Sequence, residues 1–345
     1  MKKKTLVILI ILGTIVAVGA IGAIALLTSR TANPEPVRLY LPEGTTPQAL
    51  CDSLTHSLPP CGRNPEIQLF HRLMDYAAGG RLKKGGRIRP GSYVVEPHMK
   101  YMDLVRKLRY GQQDPIRLTI GKFRLPEQLN NYLNQKLMHD DFNVPLDSFH
   151  LVLPDTYEVY WTISPEAFMQ RMSKEYDAFW QNEKRKTKSE TTVANDSLSI
   201  FTFHFSLHDI VILASIVEEE TNNSQEKPLV ASVYLNRLKK GMPLQADPTV
   251  KYAVGDFTLR RILNKHLQTD SPFNTYLHTG LPPAPICLPS KATIRAVLDA
   301  PQTHYLYFCA SDKLDGTHRF AATLAEHNRN AAAYHAALNR QGIRH

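Results

Sequence analysis

Glycine is scarce in this chain, at 17 of 345 residues, which excludes a collagen-like repeat. A composition of 43% hydrophobic and 21% charged residues likewise excludes a low-complexity or wholly disordered chain. Cysteine is sparser still, with only Cys51, Cys61, Cys287 and Cys309 and no Cys-x-x-Cys pair. None of the 14 histidines sits in a His-Glu-x-x-His motif, and His204 and His208, four apart, flank a helix start, so no zinc or other metal site is expected. A large excess of one charge is also missing. The net +9 includes Lys2, Lys3, Lys4 and Arg30, which leaves about +5 on residues 31–345. That is too little to mark a nucleic-acid-binding surface, and it suits a mildly anionic polymer or membrane surface. What remains is ordinary globular sequence, long enough beyond the first 30 residues for about two domains.

The N-terminus carries the one long hydrophobic run. From Thr5 to Ser29 there is no charge, and Leu6 to Leu27 is almost all Leu, Ile, Val, Ala and Gly, enough to cross a bilayer once. Three lysines precede it and one arginine follows. The expected layout is a cytoplasmic tail (1–4), a transmembrane helix (5–28) and an extracytoplasmic remainder. The competing reading, a cleaved signal peptide, has a shorter apolar region of about 7 to 15 residues and a small-x-small cleavage site. In an oxidising space Cys51 and Cys61 can close a short loop, and Cys287 and Cys309 a second. The alternative is four small buried apolar residues.

An internal duplication organises the first half. Val37-Arg38-Leu39-Tyr40-Leu41 alternates as a half-buried strand, and Pro47 to Leu54 opens a helix. The pattern returns 79 residues later as Ile116-Arg117-Leu118-Thr119-Ile120 followed by Pro126, Leu129 and Leu133. The second halves match at an offset of 64: Ser92-Tyr93-Val94-Val95 with Leu104 and Leu108, against Thr156-Tyr157-Glu158-Val159 with Phe168 and Met172. Each unit is strand, helix, strand, helix. The 15-residue difference falls in a Gly-rich basic stretch, Gly79 to Arg89, that is either a solvated hairpin or a contact for glycan carboxylates or phosphates. Asn182 to Ser197 is expected to be a mobile insertion.

Ser206 and Asp209 have capping-box spacing, and an apolar helix follows from Ile210 to Val217, ending in Glu218-Glu219-Glu220-Thr221. On a helical wheel Glu219 joins His208 and Ser215 on a polar stripe. Glu218 continues the face of Leu207, Val211 and Ala214, and Glu220 points about 200° away from Glu218, where a structural contact is expected. A glutamate on an apolar face should have a raised pKa and donate a proton near neutrality, unless the helix end frays and all three are solvated. Downstream, Ala231 to Leu238 is helical. Pro243 to Thr249 and Ser271 to Tyr276 read as loops, Gly280 to Ile286 as a rigid turn, Tyr305 to Cys309 as a strand and Thr323 to Leu338 as a last helix.

These segments together resemble the endolytic murein transglycosylases, the YceG-like proteins. The resemblance rests on Leu213-Ala214-Ser215-Ile216-Val217-Glu218-x-Glu220, Leu244-Gln245-x-Asp247-Pro248-Thr249-Val250, Asn274-Thr275-Tyr276 with Gly280-Leu281-Pro282-Pro283, and Tyr305 to Phe308. His318-x-Phe320, Glu326-His327-Asn328 and Pro154-Asp155-Thr156-Tyr157 extend it. Ala284, Leu288 and Ser290 depart from it, standing where the family would have Gly, Asn and Gly. It implies an α+β fold: a single-pass inner-membrane helix, a LysM-like module (37–112) and a catalytic domain (116–345) facing the periplasm. It also implies internal cleavage of nascent peptidoglycan strands between N-acetylmuramic acid and N-acetylglucosamine, leaving 1,6-anhydro ends. One acid/base suffices for that reaction, and position makes it Glu218; Gln245, Asp247, Asn274, Thr275 and Tyr276 would position substrate. Glycan strands and the membrane are the implied partners, with peptidoglycan synthases open as further ones; no cofactor and no nucleic acid are implied. A non-catalytic glycan-binding scaffold and a muramidase-type hydrolase remain the alternatives.

Overall fold

A computed structural model describes residues 28, 30–31, 33–46, 49–50, 52–53, 88–190, 205–259 and 261–341. The expected membrane span apart from Thr28, Cys51, Cys61 and the basic stretch up to Arg87 lie outside the described residues. No helix among the described residues is long and apolar enough to cross a membrane. The architecture is mixed α+β, and the chain divides into two compact units. One is formed by residues 1–118, 136–139 and 158–163, the other by 119–135, 140–157 and 164–345.

The first unit is built on an antiparallel pair, β1 (Val37–Leu41) and β2 (Gly91–Val95), in the register Val37 opposite Val95 through Leu41 opposite Gly91. Alternation sends Leu39 and Leu41 inward while Arg38 and Tyr40 face out. The buried side meets helix α1 (Tyr101–Tyr110) through Tyr93, Val95, Leu104 and Leu108, all essentially unexposed. Each such side chain contributes about 1.5 to 3 kcal/mol by leaving water. The helix stops at Gly111, whose φ of 65° is left-handed. A Cβ there would come within 2.6 Å of the Arg89 side chain, so two constraints select glycine. Asp114 then accepts from the Val94 backbone N–H at 2.6 Å and pairs with Lys107 at 2.7 Å, tying the helix to its strand.

β3 (Ile116–Ile120) pairs with β4 (Asp155–Val159), and between them lie α2 (Pro126–Lys136) and the short α3 (Leu146–Phe149). Both strands and α2 fall where the second copy of the sequence pattern puts them. α4 runs from Pro165 to Glu190, so the tract expected to be mobile from Asn182 is helical that far, and the rest of it lies outside the described residues.

The larger unit is organised by α5 (Leu207–Glu220), in which every residue from Ile210 to Val217 is buried. Such a helix has no solvent face, and its apolar run fits between α6 (Lys227–Lys239), α7 (Asp247–Val254) and α9 (Lys291–Leu298), with α8 (Asn264–Leu267) in the intervening segment. Its start is the expected capping box: Ser206 Oγ accepts from the Asp209 N–H at 3.1 Å, and Asp209 accepts from the Ser206 N–H at 2.9 Å. A hairpin of β5 (Tyr307–Ala310) and β6 (His318–Ala321) and the helix α10 (Leu324–Arg340) close the chain. Cys287 and Cys309 are both free thiols, so the second bridge is absent.

Candidate active site

Three glutamates in succession leave α5 at its C-terminal end, where the helix dipole disfavours negative charge. Each therefore needs its own compensation, and at 100° per residue the three look for it in different directions, which Glu218 and Glu219 find in cationic partners and Glu220 does not.

Glu218 turns toward the N-terminal ends of two other helices. Its Oε2 accepts from Lys227 Nζ at 3.1 Å, from the Ser290 N–H at 3.3 Å, from Ser290 Oγ at 3.0 Å and from Thr293 Oγ1. Lys227 also donates to Thr293 Oγ1 at 2.7 Å, and Ser290 caps α9 by accepting from the Thr293 N–H at 3.2 Å. Burial alone would raise the Glu218 pKa, but the Thr293 hydrogen bond, the Lys227 charge and the Ser290 hydrogen bond outweigh it, and the carboxyl lies below the ordinary glutamate value. This overturns the expectation of a raised pKa. The wheel extended the apolar face of α5 one residue too far, to a position where it meets the polar N-termini of α6 and α9.

Glu219 is not solvated as the wheel suggests. It pairs with Arg124 at 2.8 Å and Lys122 at 3.0 Å, with 12% of its side chain exposed.

Glu220 has the surroundings expected of Glu218. Its Oε2 is sealed from solvent and has no hydrogen-bond partner, although part of the residue remains open to solvent. Burial, reinforced by the negative charge of Asp247, pushes its pKa up to about 7, and the opposing effects of Tyr234 and Lys251 do not cancel that rise. A carboxyl of this kind is populated both as acid and as base at neutral pH.

The other expected residues gather on the Glu220 side. Asp247 is exposed, stands in the first turn of α7 rather than in a loop, and accepts from the Tyr276 hydroxyl at 2.7 Å. Gln245 is exposed, with a left-handed φ of 49°, and its N–H donates to the Thr275 carbonyl at 3.1 Å. Asn274 and Thr275 lie beneath the surface, 0% and 1% exposed. The Asn274 amide donates to the Leu267 and Thr269 carbonyls, both at 2.9 Å, and its oxygen accepts from the Tyr276 N–H at 3.0 Å. Thr275 Oγ1 accepts from the Ala246 N–H at 3.0 Å and meets Thr249 Oγ1 at 2.8 Å. These two side chains hold the loops that present Gln245, Asp247 and Tyr276.

Two contributors escaped the sequence reading, Tyr234 and Arg237, one turn apart on α6. Tyr234 is buried beside Glu220, where it opposes the rise of the carboxyl pKa. Arg237 is buried; it donates to the carbonyls of Leu306 at 2.6 Å and Leu244 at 2.9 Å and to Gln245 Oε1 at 3.3 Å. Their sequence signal is a pair of polar residues at i, i+3 on a helix otherwise written for a core.

The profile of the YceG-like family matches residues 36–333. The chain belongs to the YceG-like family. Among its relatives is a Bacillus subtilis endolytic murein transglycosylase, 35% identical over 211 residues, an alignment spanning 61% of this chain and 52% of the relative. An endolytic murein transglycosylase of Streptococcus pneumoniae is 27% identical over 187 residues, 53% of this chain and 31% of that one. This YceG-like chain thus spans about half, or less, of the length of the curated relatives it matches. A crystal structure of a putative yceG-like protein from Listeria monocytogenes aligns with 86% of this chain and 99% of its own at 26% identity and a TM-score of 0.49.

Proposed function

We propose that this YceG-like chain is an endolytic lytic transglycosylase that cuts the β-1,4 bond between N-acetylmuramic acid and N-acetylglucosamine inside peptidoglycan strands. The observation that carries the reading is a single carboxyl, Glu220, whose Oε2 is sealed from solvent without a donor and whose pKa burial and the Asp247 charge raise to about 7. Protonated Glu220 gives its proton to the glycosidic oxygen as the bond breaks. The resulting carboxylate then takes the proton of the muramic acid 6-hydroxyl, which closes on the anomeric carbon as a 1,6-anhydro ring. No water is consumed, and one group serves both steps. Asp247 keeps the Glu220 proton on by its charge, Tyr276 orients Asp247, and Gln245 offers its amide to a sugar. Glu218, expected from position to be the acid, is better suited to hold the end of α5 against α6 and α9, since four donors on one oxygen favour its ionised form. The names carried by the relatives support the same activity.

The wider layout belongs to the same proposal: a cytoplasmic N-terminus, one membrane pass over residues 5–28, a glycan-holding LysM-like module over 37–112, and a catalytic domain from 116 outside the membrane. A muramidase is the second reading, because Asp247 is another carboxylate on the Glu220 side. Digesting purified glycan strands with the full chain in detergent and weighing the products separates them. Anhydro ends support the transglycosylase, reducing ends support the hydrolase, and strands bound but uncut leave only a scaffold.

A further inference from the structure

On the side of α6 turned away from Tyr234 lies a cavity of about 380 Å³. Lys239 and Lys240 stand on one side of it, Gln302 and His304 on the other, and Leu235 and Leu306, both buried, supply apolar wall. Neither lysine has a carboxylate within ion-pair distance among the described residues. The helix dipole accounts for cations in the last turn of α6. It does not account for an amide and an imidazole brought to the same cavity by a segment some sixty residues further along the chain.

That segment is held in place before any ligand arrives. Asn236 Nδ2 donates to the Thr303 carbonyl at 2.9 Å and the Tyr305 carbonyl at 3.0 Å, and Ser232 Oγ meets Thr303 Oγ1 at 2.7 Å. The cavity is also joined to the candidate site. Arg237 donates to the carbonyl of Leu306 in the cavity wall and, with its other end, to Gln245. Past Lys240 the chain needs only the turn through Gly241 and Leu244 to reach Gln245 and Asp247.

The geometry points to a second subsite that takes the carboxylate-bearing peptide branch of the glycan strand, with the lysines on its carboxylate, Gln302 on a peptide amide and the leucines against a small aliphatic side chain. This rests on the transglycosylase reading and names a further part of its substrate. A peptide suits the cavity better than a lipid phosphate does, because buried Leu235 and Leu306 set an apolar wall beside the two exposed lysines, and a phosphate would leave that wall unused.

The test measures binding and cleavage by the full chain on three probes: strands carrying their peptides, the same strands stripped of peptide by an amidase, and anionic phospholipid vesicles. The wild type should bind peptide-bearing strands about tenfold more tightly than stripped ones, as expected for two charge-assisted contacts. Lys239→Ala with Lys240→Ala should abolish that preference while leaving stripped strands bound and cut as before, and replacement of both by arginine should restore it. Equal wild-type binding to both strands, or an equal loss on both in the double variant, overturns the subsite but leaves the transglycosylase standing. A loss confined to vesicles overturns it in favour of a membrane contact. If neither peptide-bearing nor stripped strands are bound or cut by the wild type, the functional reading fails and the subsite with it.

Discussion

Glu218 and Glu220 are two residues apart on one helix end and have opposite chemistry. Glu218 receives four donors on one oxygen, and its pKa falls despite burial; Glu220 has an oxygen with no donor and a carboxylate neighbour, and its pKa rises to about 7. Burial is common to both. The difference lies in what the two neighbouring helices offer: α9 and α6 present their N-terminal ends to Glu218, whereas Glu220 meets a tyrosine in the body of α6 and an aspartate. A charge-stabilising environment suits a structural clamp, and one that holds a proton suits an acid.

The largest effect expected is on Glu220. Glu220→Gln should lower the rate of anhydro-product formation by about 10² to 10⁴, the usual contribution of a general acid/base, while the protein stays folded and still binds strands. In the wild type, activity should fall on the alkaline side with an apparent pKa near 7, because the proposed reaction starts from protonated Glu220. If Glu220→Gln turns over normally and Glu218→Gln is dead, the assignment is reversed.

Next comes Glu218. Glu218→Gln strips the charge that Lys227 and three further donors address, and should cost about 2 kcal/mol at neutral pH in urea unfolding, with a smaller loss of activity. The two variants should also separate by pH. With its folded pKa lowered, Glu218 stabilises the protein above about pH 4.5 and stops doing so as pH falls through the folded value, so its variant should approach the wild type in acid. With its folded pKa raised, Glu220 favours folding below about 4.5 and loses that contribution as pH climbs through 7, so Glu220→Gln should gain on the wild type in mild alkali.

A smaller kinetic change should follow at Asp247. Its charge raises the Glu220 pKa, so Asp247→Asn should move the alkaline limb to lower pH and reduce kcat/KM by about tenfold, the low side of what positioning groups contribute. The products should still carry anhydro ends. A switch from reducing to no product would mark Asp247 as the water-activating carboxylate of a hydrolase.

β1 to β4 and the helices α1 and α2 were legible because hydrophobic period and turn residues act locally, and the capping box at Ser206 is written in four residues; the helix expected from Pro47 to Leu54 lies in part outside the described residues. What surrounds each glutamate was not legible. The wheel fixes directions around α5 but cannot say that Ser290 or Lys227 waits in one of them. Nor could it say that the Asn274 and Thr275 side chains are spent on the Leu267, Thr269 and Ala246 backbones, which brings the loops carrying Asp247 and Tyr276 together. Sequence pattern marks such a residue without telling support from contact.

Glu219 offers the finest test of the comparison, because it shares the helix end but neither environment. Its partners Arg124 and Lys122 are about a third exposed, so solvent screens the pair, and Glu219→Gln should cost no more than about 1 kcal/mol, diminishing as salt is added. Activity and the alkaline limb should stay where they are, since Glu219 is not among the groups that shift Glu220. If Glu219→Gln instead moved the limb as far as Asp247→Asn does, the proton on Glu220 would be answering to the total charge of the helix end, and the local contrast with Glu218 would no longer explain it.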